Sequence, residues 1–201
     1  MQCFGKMDFK QISKKLKAFT VGIAGCGGLG SNCAVALART GIGRLVIADF
    51  DAITEDNLNR QYFFHHQIGE KKVLALQKNI TDINPGITVI THEVKLDPEN
   101  IPVIFKDCDI IVEAFDLSEM KSMIIETVMS EMPGKYIISG SGLAGWGNSN
   151  ALSTHYYERL IVCGDLENEV SDENPPLAPR VAIVANMQAN AVLELLLKRS
   201  E

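Results

Sequence analysis

Residues 20–31 read TVGIAGCGGLGS, and this stretch decides the fold. An apolar run at residues 21–24 predicts a short buried strand, which leads directly into a G-x-G-x-x-G pattern over residues 25–30. A helix is predicted from Leu29 to Thr40 immediately afterwards. A strand, a glycine turn and a helix N-terminus can bind nucleotide phosphates, because the free N–H groups of the first helical turn face the anion. Taken alone, the pattern is equally compatible with a tight structural turn.

The apolar segments further along the chain alternate with helical patterns. More strands are predicted at residues 44–50, 87–92, 109–114 and 136–139, and helices at residues 8–19, 71–83, 118–132 and 180–198. Strands that alternate with helices indicate a parallel sheet with right-handed crossovers. The pattern at residues 151–157 and 160–163 predicts an antiparallel hairpin. We therefore predict one α/β domain over residues 1–201, with a Rossmann-like, mainly parallel sheet flanked by helices and a C-terminal antiparallel extension.

Polar and glycine-rich segments connect these elements. Residues 51–69 and 140–150 are predicted loops, and Gly41 is suited to end the helix that follows the glycine pattern. Ser118 is a candidate N-cap and Pro179 a candidate first residue for the last two helices. Residues 164–179 carry acidic side chains and no basic one, so we predict that this segment is exposed and mobile.

Composition and charge exclude several classes of function. The formal net charge is -6 over 201 residues, which argues against a general nucleic-acid surface. No apolar run reaches the ~18 residues of a membrane span, and the first residues contain no apolar signal-peptide core. We therefore predict a cytoplasmic protein that binds neither nucleic acid nor membrane. The cysteines form no C-x-x-C pair, which indicates neither a zinc knuckle nor a disulfide framework; they are Cys3, Cys26, Cys33, Cys108 and Cys163.

Two aspartates come at the ends of predicted strands, as the glycine turn does. Because ligands of parallel sheets bind at the carboxyl ends of the strands, Asp49, Asp116 and the glycine turn are expected to share one cleft. Asp49 follows the glycine pattern by about 20 residues, where an acid usually holds a ribose hydroxyl. The alternative is a turn-forming aspartate.

Two cations and a second acid complete a possible phosphate site. Arg60 and Lys72 come in and just after the loop that leaves the second strand, and two cations there can neutralise charge on a triphosphate. The alternative is that Arg60 and Lys72 are two ordinary surface charges. The Asp116 carboxylate can hold Mg²⁺ against phosphates, or it can simply complement a helix dipole.

Taken together and in order, these residues resemble a known family. The matching segments are GCGGLGS at residues 25–31, ADFD at 48–51, NLNRQ at 57–61, Lys72, INP at 83–85, Asp116 and PPLAPRVAIVANMQAN at 175–190. The set resembles the ubiquitin-activating-enzyme-like adenylating superfamily, and within it the ThiF/MoeB branch that activates small sulfur-carrier proteins. The resemblance covers nearly the whole chain and is far more specific than the glycine pattern alone.

The resemblance implies an activity, its cofactors and a partner. ATP and the C-terminal glycine carboxylate of a ThiS-like carrier ending in Gly-Gly would give an acyl-adenylate and pyrophosphate, in thiamine biosynthesis. It implies Mg²⁺ and a homodimer, whereas no zinc is expected because the cysteines of this chain form no C-x-x-C pair. The implied catalytic residues are Arg60, Lys72 and Asp116, of which Asp116 would hold the Mg²⁺. The implied nucleotide-binding residues are Gly25, Gly27, Gly28, Leu29, Gly30, Asp49, Asp51, Asn57 and Gln61.

The chain also departs from the family pattern. Members often carry an arginine near the N-terminus that reaches into the partner subunit's site, whereas the first arginine here is Arg39. The four-cysteine zinc site is missing, and Leu117 replaces the asparagine that usually follows Asp116. Cys163 lies near the position where some relatives form a covalent link to the carrier, but the acidic residues after it argue against a reactive thiolate.

Other functions remain open at this point. The glycine pattern with Asp49 also fits a nicotinamide-dependent oxidoreductase, although such a site needs neither Arg60 nor Lys72. The departures from the family pattern fit a non-catalytic nucleotide- or partner-binding homologue. A small-molecule or tRNA acid could replace the carrier protein, although the acidic charge makes tRNA the less attractive substrate.

Overall fold

The computed structural model describes residues 7–198, and all strands within that range belong to one sheet. The strands are β1 (Thr20–Ala24), β2 (Arg44–Ala48), β3 (Thr88–His92), β4 (Ile110–Glu113), β5 (Tyr136–Gly140), β6 (Ser153–Tyr157) and β7 (Leu160–Gly164). The helices are α1 (Phe9–Leu16), α2 (Gly28–Thr40), α3 (Lys72–Ile83), α4 (Ile101–Ile104), α5 (Ser118–Glu131) and α6 (Ala178–Lys198). Short 3₁₀ turns cover Glu55–Asn59, His65–Gln67 and Ser149–Ala151. Cys3 lies outside the described residues.

The sheet order is β3-β2-β1-β4-β5-β7-β6. All neighbouring pairs are parallel except β6 and β7, which pair antiparallel. The predicted fold class is therefore confirmed, including the antiparallel extension. The chain moves outward from β1 to β3 and then returns to the other side of β1 at β4. This reversal creates a crevice at the carboxyl ends of β1 and β4, where ligands of such sheets bind.

Alternation along the strands explains why both faces of the sheet are covered. Val21 and Ile23 of β1 join an apolar cluster with α2, α3 and α6, whereas Ala24 joins a second cluster with α4 and α5. In β2, Leu45 and Val46 divide between the two clusters in the same way. Strands buried on both faces are apolar nearly throughout, as parallel strands in doubly wound sheets are.

Helix α6 covers the sheet beside α2. Among residues 7–198, this helix alone is long and apolar enough to cross a membrane by length and composition. Its Val181, Val184 and Val192 side chains are buried in the first cluster, as in the core helix of a globular domain.

Several local predictions need correction. Ser118 is the first residue of α5 rather than its N-cap, which is Leu117, and no side chain caps that end. Helix α6 begins at Ala178, one residue before Pro179. The segment between β3 and β4 contains the four-residue helix α4, which was not predicted because one turn shows no periodicity. Gly41 does end α2, in the left-handed conformation with φ of 96°.

Candidate functional site

The glycine turn lies at the crevice between β1 and β4. Gly25 has a φ of +97°, and a Cβ atom there would lie 2.9 Å from the carbonyl oxygen of Ala114, the residue that follows β4. A Cβ atom on Gly30 would lie only 1.8 Å from the carbonyl oxygen of Gly25. Both positions therefore require glycine, because a side chain would separate the first turn of α2 from the strand.

The N-terminus of α2 is open toward this crevice. Gly27 is the N-cap and no side chain caps the helix there. The first intrahelical backbone bond runs from Ser31 N–H to the Gly27 carbonyl at 3.0 Å. The N–H groups of Gly28, Leu29 and Gly30 precede that bond and so carry the positive end of the helix dipole. Leu29 contributes through its backbone, since its side chain is buried in the core.

Asp49 lies directly against the glycine turn. Its Oδ2 accepts a hydrogen bond of 2.6 Å from the Cys26 N–H, and its Oδ1 accepts one of 2.8 Å from the Asp51 N–H. Burial raises the pKa of the Asp49 carboxyl above its usual value, while the Cys26 N–H and the Lys72 ammonium act in the opposite direction. The carboxylate is thus fixed in orientation at the end of β2, as the sequence predicted for its position.

Lys72 begins α3 and points into the same region. Its Nζ lies 2.7 Å from Asp51 Oδ2, and its side chain is 8% exposed while that of Asp51 is 47% exposed. The Lys72 charge also acts on Asp49 and on the Cys26 thiol, which places all of these groups in one neighbourhood. A buried lysine whose counter-ion is half exposed can exchange that counter-ion for an anion from solvent.

Arg60 is held beside the first turn of α2 by its backbone. The Asn32 side-chain amide donates to the Gly28 carbonyl at 2.7 Å and to the Arg60 carbonyl at 3.0 Å. Two residues further along this loop, the Tyr62 N–H donates a hydrogen bond of 2.9 Å to the Ser31 hydroxyl. The Arg60 guanidinium donates to Asn59 Oδ1 at 2.8 Å and pairs with no carboxylate among the described residues. Its positive charge therefore remains available to a ligand.

Asn57 and Gln61, the two amide residues of this loop that were predicted to bind the nucleotide, make different contacts. Asn57 Oδ1 accepts the Thr54 N–H at 3.1 Å and so caps the 3₁₀ turn. Gln61 is buried beside Gly27, with its Nε2 3.7 Å from the position of a Cβ on that glycine. The Gln61 Oε1 atom is buried and has no partner within residues 7–198. A buried amide acceptor without a partner costs free energy, which a ligand donor at this turn would recover.

Asp116 follows β4 on the opposite side of the crevice and is exposed. The backbone just before it is held against the end of β1, since the Ala114 N–H donates to the Ala24 carbonyl at 2.9 Å. No group of three His, Cys, Asp or Glu side chains suited to a metal occurs in the described part of the chain. A single carboxylate still fits Mg²⁺, because that ion commonly takes its other ligands from water and substrate phosphates.

Sequence reasoning missed an acid beneath Asp116. Glu113 ends β4, is fully buried and pairs with Lys121 of α5 at 3.0 Å. Its only sequence signal was an ionisable residue inside the apolar run DIIVEA.

The four described cysteines are all buried. Burial raises the pKa of the Cys163 thiol to about 11, and the adjacent Thr154 hydroxyl offsets this only in part. Cys163 is therefore a protonated core thiol, which disfavours a covalent link to a carrier. His65 and His66 lie exposed in a 3₁₀ turn, and the His66 ring stacks on Phe64 at a centroid distance of 5.9 Å.

These features define a Rossmann-like α/β protein with a glycine turn and an uncapped helix N-terminus at the switch point of its sheet and two cations beside it. The sequence model of the ThiF family matches residues 3–201, so the chain belongs to the ThiF family. The family predicted from the sequence is thereby confirmed.

Two relatives of this chain are named as adenylyltransferases and sulfurtransferases. "Adenylyltransferase and sulfurtransferase MOCS3" of Caenorhabditis briggsae is 34% identical over 197 residues, which are 93% of this chain and 48% of that protein. "Adenylyltransferase and sulfurtransferase uba4" of Emericella nidulans is 34% identical over 140 residues, 69% of this chain and 29% of that protein. The chain thus spans half or less of the length of these relatives.

Solved structures show the same fold. The E. coli tRNA N6-threonylcarbamoyladenosine dehydratase TcdA, solved in complex with ATP, has a TM-score of 0.85 at 18% identity and covers 95% of this chain and 90% of its own. E. coli MccB with ATP has a TM-score of 0.71 at 23% identity and covers 94% of this chain and 60% of its own.

Proposed function

We propose that this protein is an adenylyltransferase that uses ATP to activate the C-terminal glycine carboxylate of a small, ubiquitin-like sulfur-carrier protein. The observation that carries the proposal is the meeting of an open α2 N-terminus, a fixed Asp49 carboxylate and the cations Arg60 and Lys72 at one crevice. The names of the MOCS3 and uba4 relatives, and the ATP complexes of TcdA and MccB, support this choice of reaction and nucleotide.

The first task of the site is to bind a polyanion. Asp49 would accept hydrogen bonds from the ribose hydroxyls, while the N–H groups of the α2 N-terminus would face the phosphates. Lys72 would exchange its contact with the half-exposed Asp51 for one with phosphate oxygens. Gln61 would satisfy its unpartnered Oε1 with a donor at the bound nucleotide.

The second task is to let one anion attack another. A carboxylate oxygen of the carrier would attack the α-phosphorus, the bond from that phosphorus to the bridging oxygen would break, and pyrophosphate would leave with the electron pair. Arg60 and Lys72 would stabilise the charge that develops on the phosphates. Because positioning and electrostatic stabilisation supply the catalysis, no protein nucleophile is required. This agrees with the burial of Cys163.

Asp116 would hold Mg²⁺ together with phosphate oxygens. The ion supplies charge neutralisation on the leaving pyrophosphate when it is bound. The exposed Asp116 carboxylate, just after the carboxyl end of β4, is compatible with that role, and Asp51 and Asn57 would complete the polar wall of the site.

The test is ATP–pyrophosphate exchange with candidate carriers that end in Gly-Gly. We expect exchange that depends on the carrier and falls about 100-fold or more in Arg60→Ala, as when one transition-state donor is removed elsewhere. Lys78→Ala is the matched control, because Lys78 is an exposed lysine on α3. Failure of every Gly-Gly carrier to support exchange would contradict the proposal.

The finer parts of the proposal rest on the sequence resemblance. They are a ThiS-like carrier, a role in thiamine biosynthesis and a homodimer. A cytoplasmic location and the absence of zinc are instead proposed from the composition of the chain and the spacing of its cysteines. An oxidoreductase would instead bind NADH, which would enhance the NADH fluorescence, and would not bind ATP. A non-catalytic homologue would bind ATP and form no acyl-adenylate with its true partner.

A further inference from the structure

A buried polar cluster lies directly beneath the Asp116 side of the crevice. The Glu113 carboxylate is fully buried, and its partners come from three segments of the chain. Oε1 accepts the Phe115 N–H at 2.6 Å, and Lys121 Nζ lies 3.0 and 3.1 Å from the two oxygens. The Ser139 hydroxyl of β5 donates to Oε2 at 2.5 Å.

This cluster fixes the backbone on both sides of Asp116. The Phe115 N–H contact comes one residue before Asp116, and Lys121 lies in the first turn of α5, five residues after it. Lys121 Nζ also donates to the Gly140 carbonyl at 3.0 Å, which ties α5 to the end of β5. The loop that carries Asp116 is therefore anchored at both ends through one carboxylate.

The same anchor sets the distance of the loop from the glycine turn. Phe115 Cδ1 lies 3.3 Å from the position of a Cβ on Gly25. Gln188 of α6 donates from Nε2 to the Glu113 carbonyl at 2.9 Å, so the strand end is held from a further direction. The Asp116 side chain forms no hydrogen bond or ion pair within residues 7–198, so the position of its backbone is set by these neighbouring contacts.

A buried ion pair is a weak source of stability, because both charges lose their hydration on burial. Replacing a buried pair by apolar residues of similar volume is often neutral or stabilising, so stability alone is a weak reason to bury Glu113 with Lys121. Fixing a functional carboxylate is a stronger one, because partners behind a metal ligand orient it and tune its affinity.

We propose that Glu113 and Lys121 form a positioning pair that holds the loop at residues 114–117 and aims the Asp116 carboxylate at the nucleotide phosphates. The inference rests on the proposed function, since it takes Asp116 to bind Mg²⁺ with ATP. Lys121 acts only through Asp116 and makes no contact with the nucleotide.

Calorimetric titration with ATP, in Mg²⁺ and separately in excess EDTA, tests the pair without any carrier protein. In Lys121→Met we expect about 10-fold weaker binding of ATP in Mg²⁺, the size typical of a lost partner behind a metal ligand, and unchanged binding in EDTA. Lys121→Arg keeps the charge and should recover most of the affinity. Lys78→Met, at an exposed lysine of α3, should match the wild type under both conditions.

The double variant Asp116→Asn/Lys121→Met supplies the decisive comparison. Because Lys121 acts through Asp116, the double variant should bind Mg²⁺-ATP no more weakly than Asp116→Asn alone. Additive losses, or an equal loss in EDTA, would overturn the positioning role. If Lys121→Met does not fold, Ser139→Ala removes one hydrogen bond to Glu113 and should give a smaller loss confined to Mg²⁺.

The two proposals fail in different ways. If Asp116→Asn retains the full Mg²⁺ dependence of the wild type, the metal role in the proposed function is wrong and the positioning pair falls with it. If Asp116→Asn loses that dependence but Lys121→Met does not, only the positioning pair is wrong.

Discussion

Replacing Arg180 should expose how the loops around the crevice are held. Arg180 of α6 and Asp165, just after β7, form an ion pair in which their side chains are 5% and 3% exposed. The Arg180 Nη1 also donates to the Gly147 carbonyl at 2.7 Å. This pair therefore connects α6, the acidic segment at residues 164–179 and the glycine-rich loop at residues 140–150.

The magnitude follows from burial and from the donors that Asp165 retains. Removing one partner of a buried pair costs about 3–5 kcal/mol, because the other charge stays buried without compensation. Asp165 keeps the N–H groups of Glu167 and Asn168, each at 2.9 Å, as well as the Asn168 side chain. We therefore expect Arg180→Met to lower the free energy of unfolding by about 3 kcal/mol. For a chain of this size that corresponds to a fall in Tm of roughly 6–12 °C.

The loss should also depend on pH in a defined direction. Burial alone would raise the pKa of Asp165, but the N–H donors of Asn168 and Glu167, together with Arg180, hold it below its usual value. A folded-state pKa below the unfolded one gives stability that is present above the unfolded pKa and lost as pH falls through the folded value. The difference between wild type and Arg180→Met should therefore be largest near neutral pH and shrink below about pH 4.

Urea unfolding followed by circular dichroism measures this difference directly. Trp146 is the single tryptophan of the chain and lies in the anchored loop, 84% exposed, so its emission reports that loop separately. Arg44→Met is the control, because Arg44 is exposed on β2. A loss below about 1 kcal/mol, the range of exposed ion pairs, would refute the reasoning, as would a loss that is independent of pH.

Two further predictions concern the glycine turn and the cysteines. Gly30→Ala should destabilise the fold by about 1–3 kcal/mol, the usual cost of overpacking, and abolish ATP binding, because its Cβ would meet the Gly25 carbonyl at 1.8 Å. Thermal unfolding and calorimetry check this against Gly86→Ala, whose Cβ approaches other atoms no closer than 3.4 Å, and equal effects would count against it. In a Cys3→Ser background the four buried thiols should resist a thiol reagent until the protein unfolds. Rapid labelling of Cys163 in the native protein would contradict this prediction and would favour a covalent link between Cys163 and the carrier.

Much of the fold could be predicted because the deciding signals are local. The apolar run before the glycine pattern became β1, and the next apolar runs became parallel strands on either side of it. The position of Asp49 at the end of β2 follows from strand length alone, and its contact with the glycine turn follows from the parallel pairing of β1 with β2. The roles of Arg60, Lys72 and Asp116 stay predictions, although the structure brings them to the same edge.

What the sequence did not reveal depends on contacts between distant segments. Asp165 was expected on an exposed acidic segment, and most of residues 164–179 are exposed, but the Asp165 side chain is buried against Arg180. Nothing in either neighbourhood marks this pair, since the two residues face each other only when α6 packs on the sheet. Glu113 is a similar case, because its buried carboxylate accepts a hydrogen bond from Ser139 on another strand. The predicted mobility of the acidic segment stays a prediction.

The central claim is that this chain transfers AMP from ATP to a carrier carboxylate at the crevice beside β1. Mass spectrometry of a Gly-Gly carrier, after incubation with this protein and ATP, tests it most directly. We predict an AMP adduct on the terminal glycine that disappears when the carrier lacks that glycine or the protein carries Arg60→Ala. Binding of ATP without an adduct on any candidate carrier would contradict the claim.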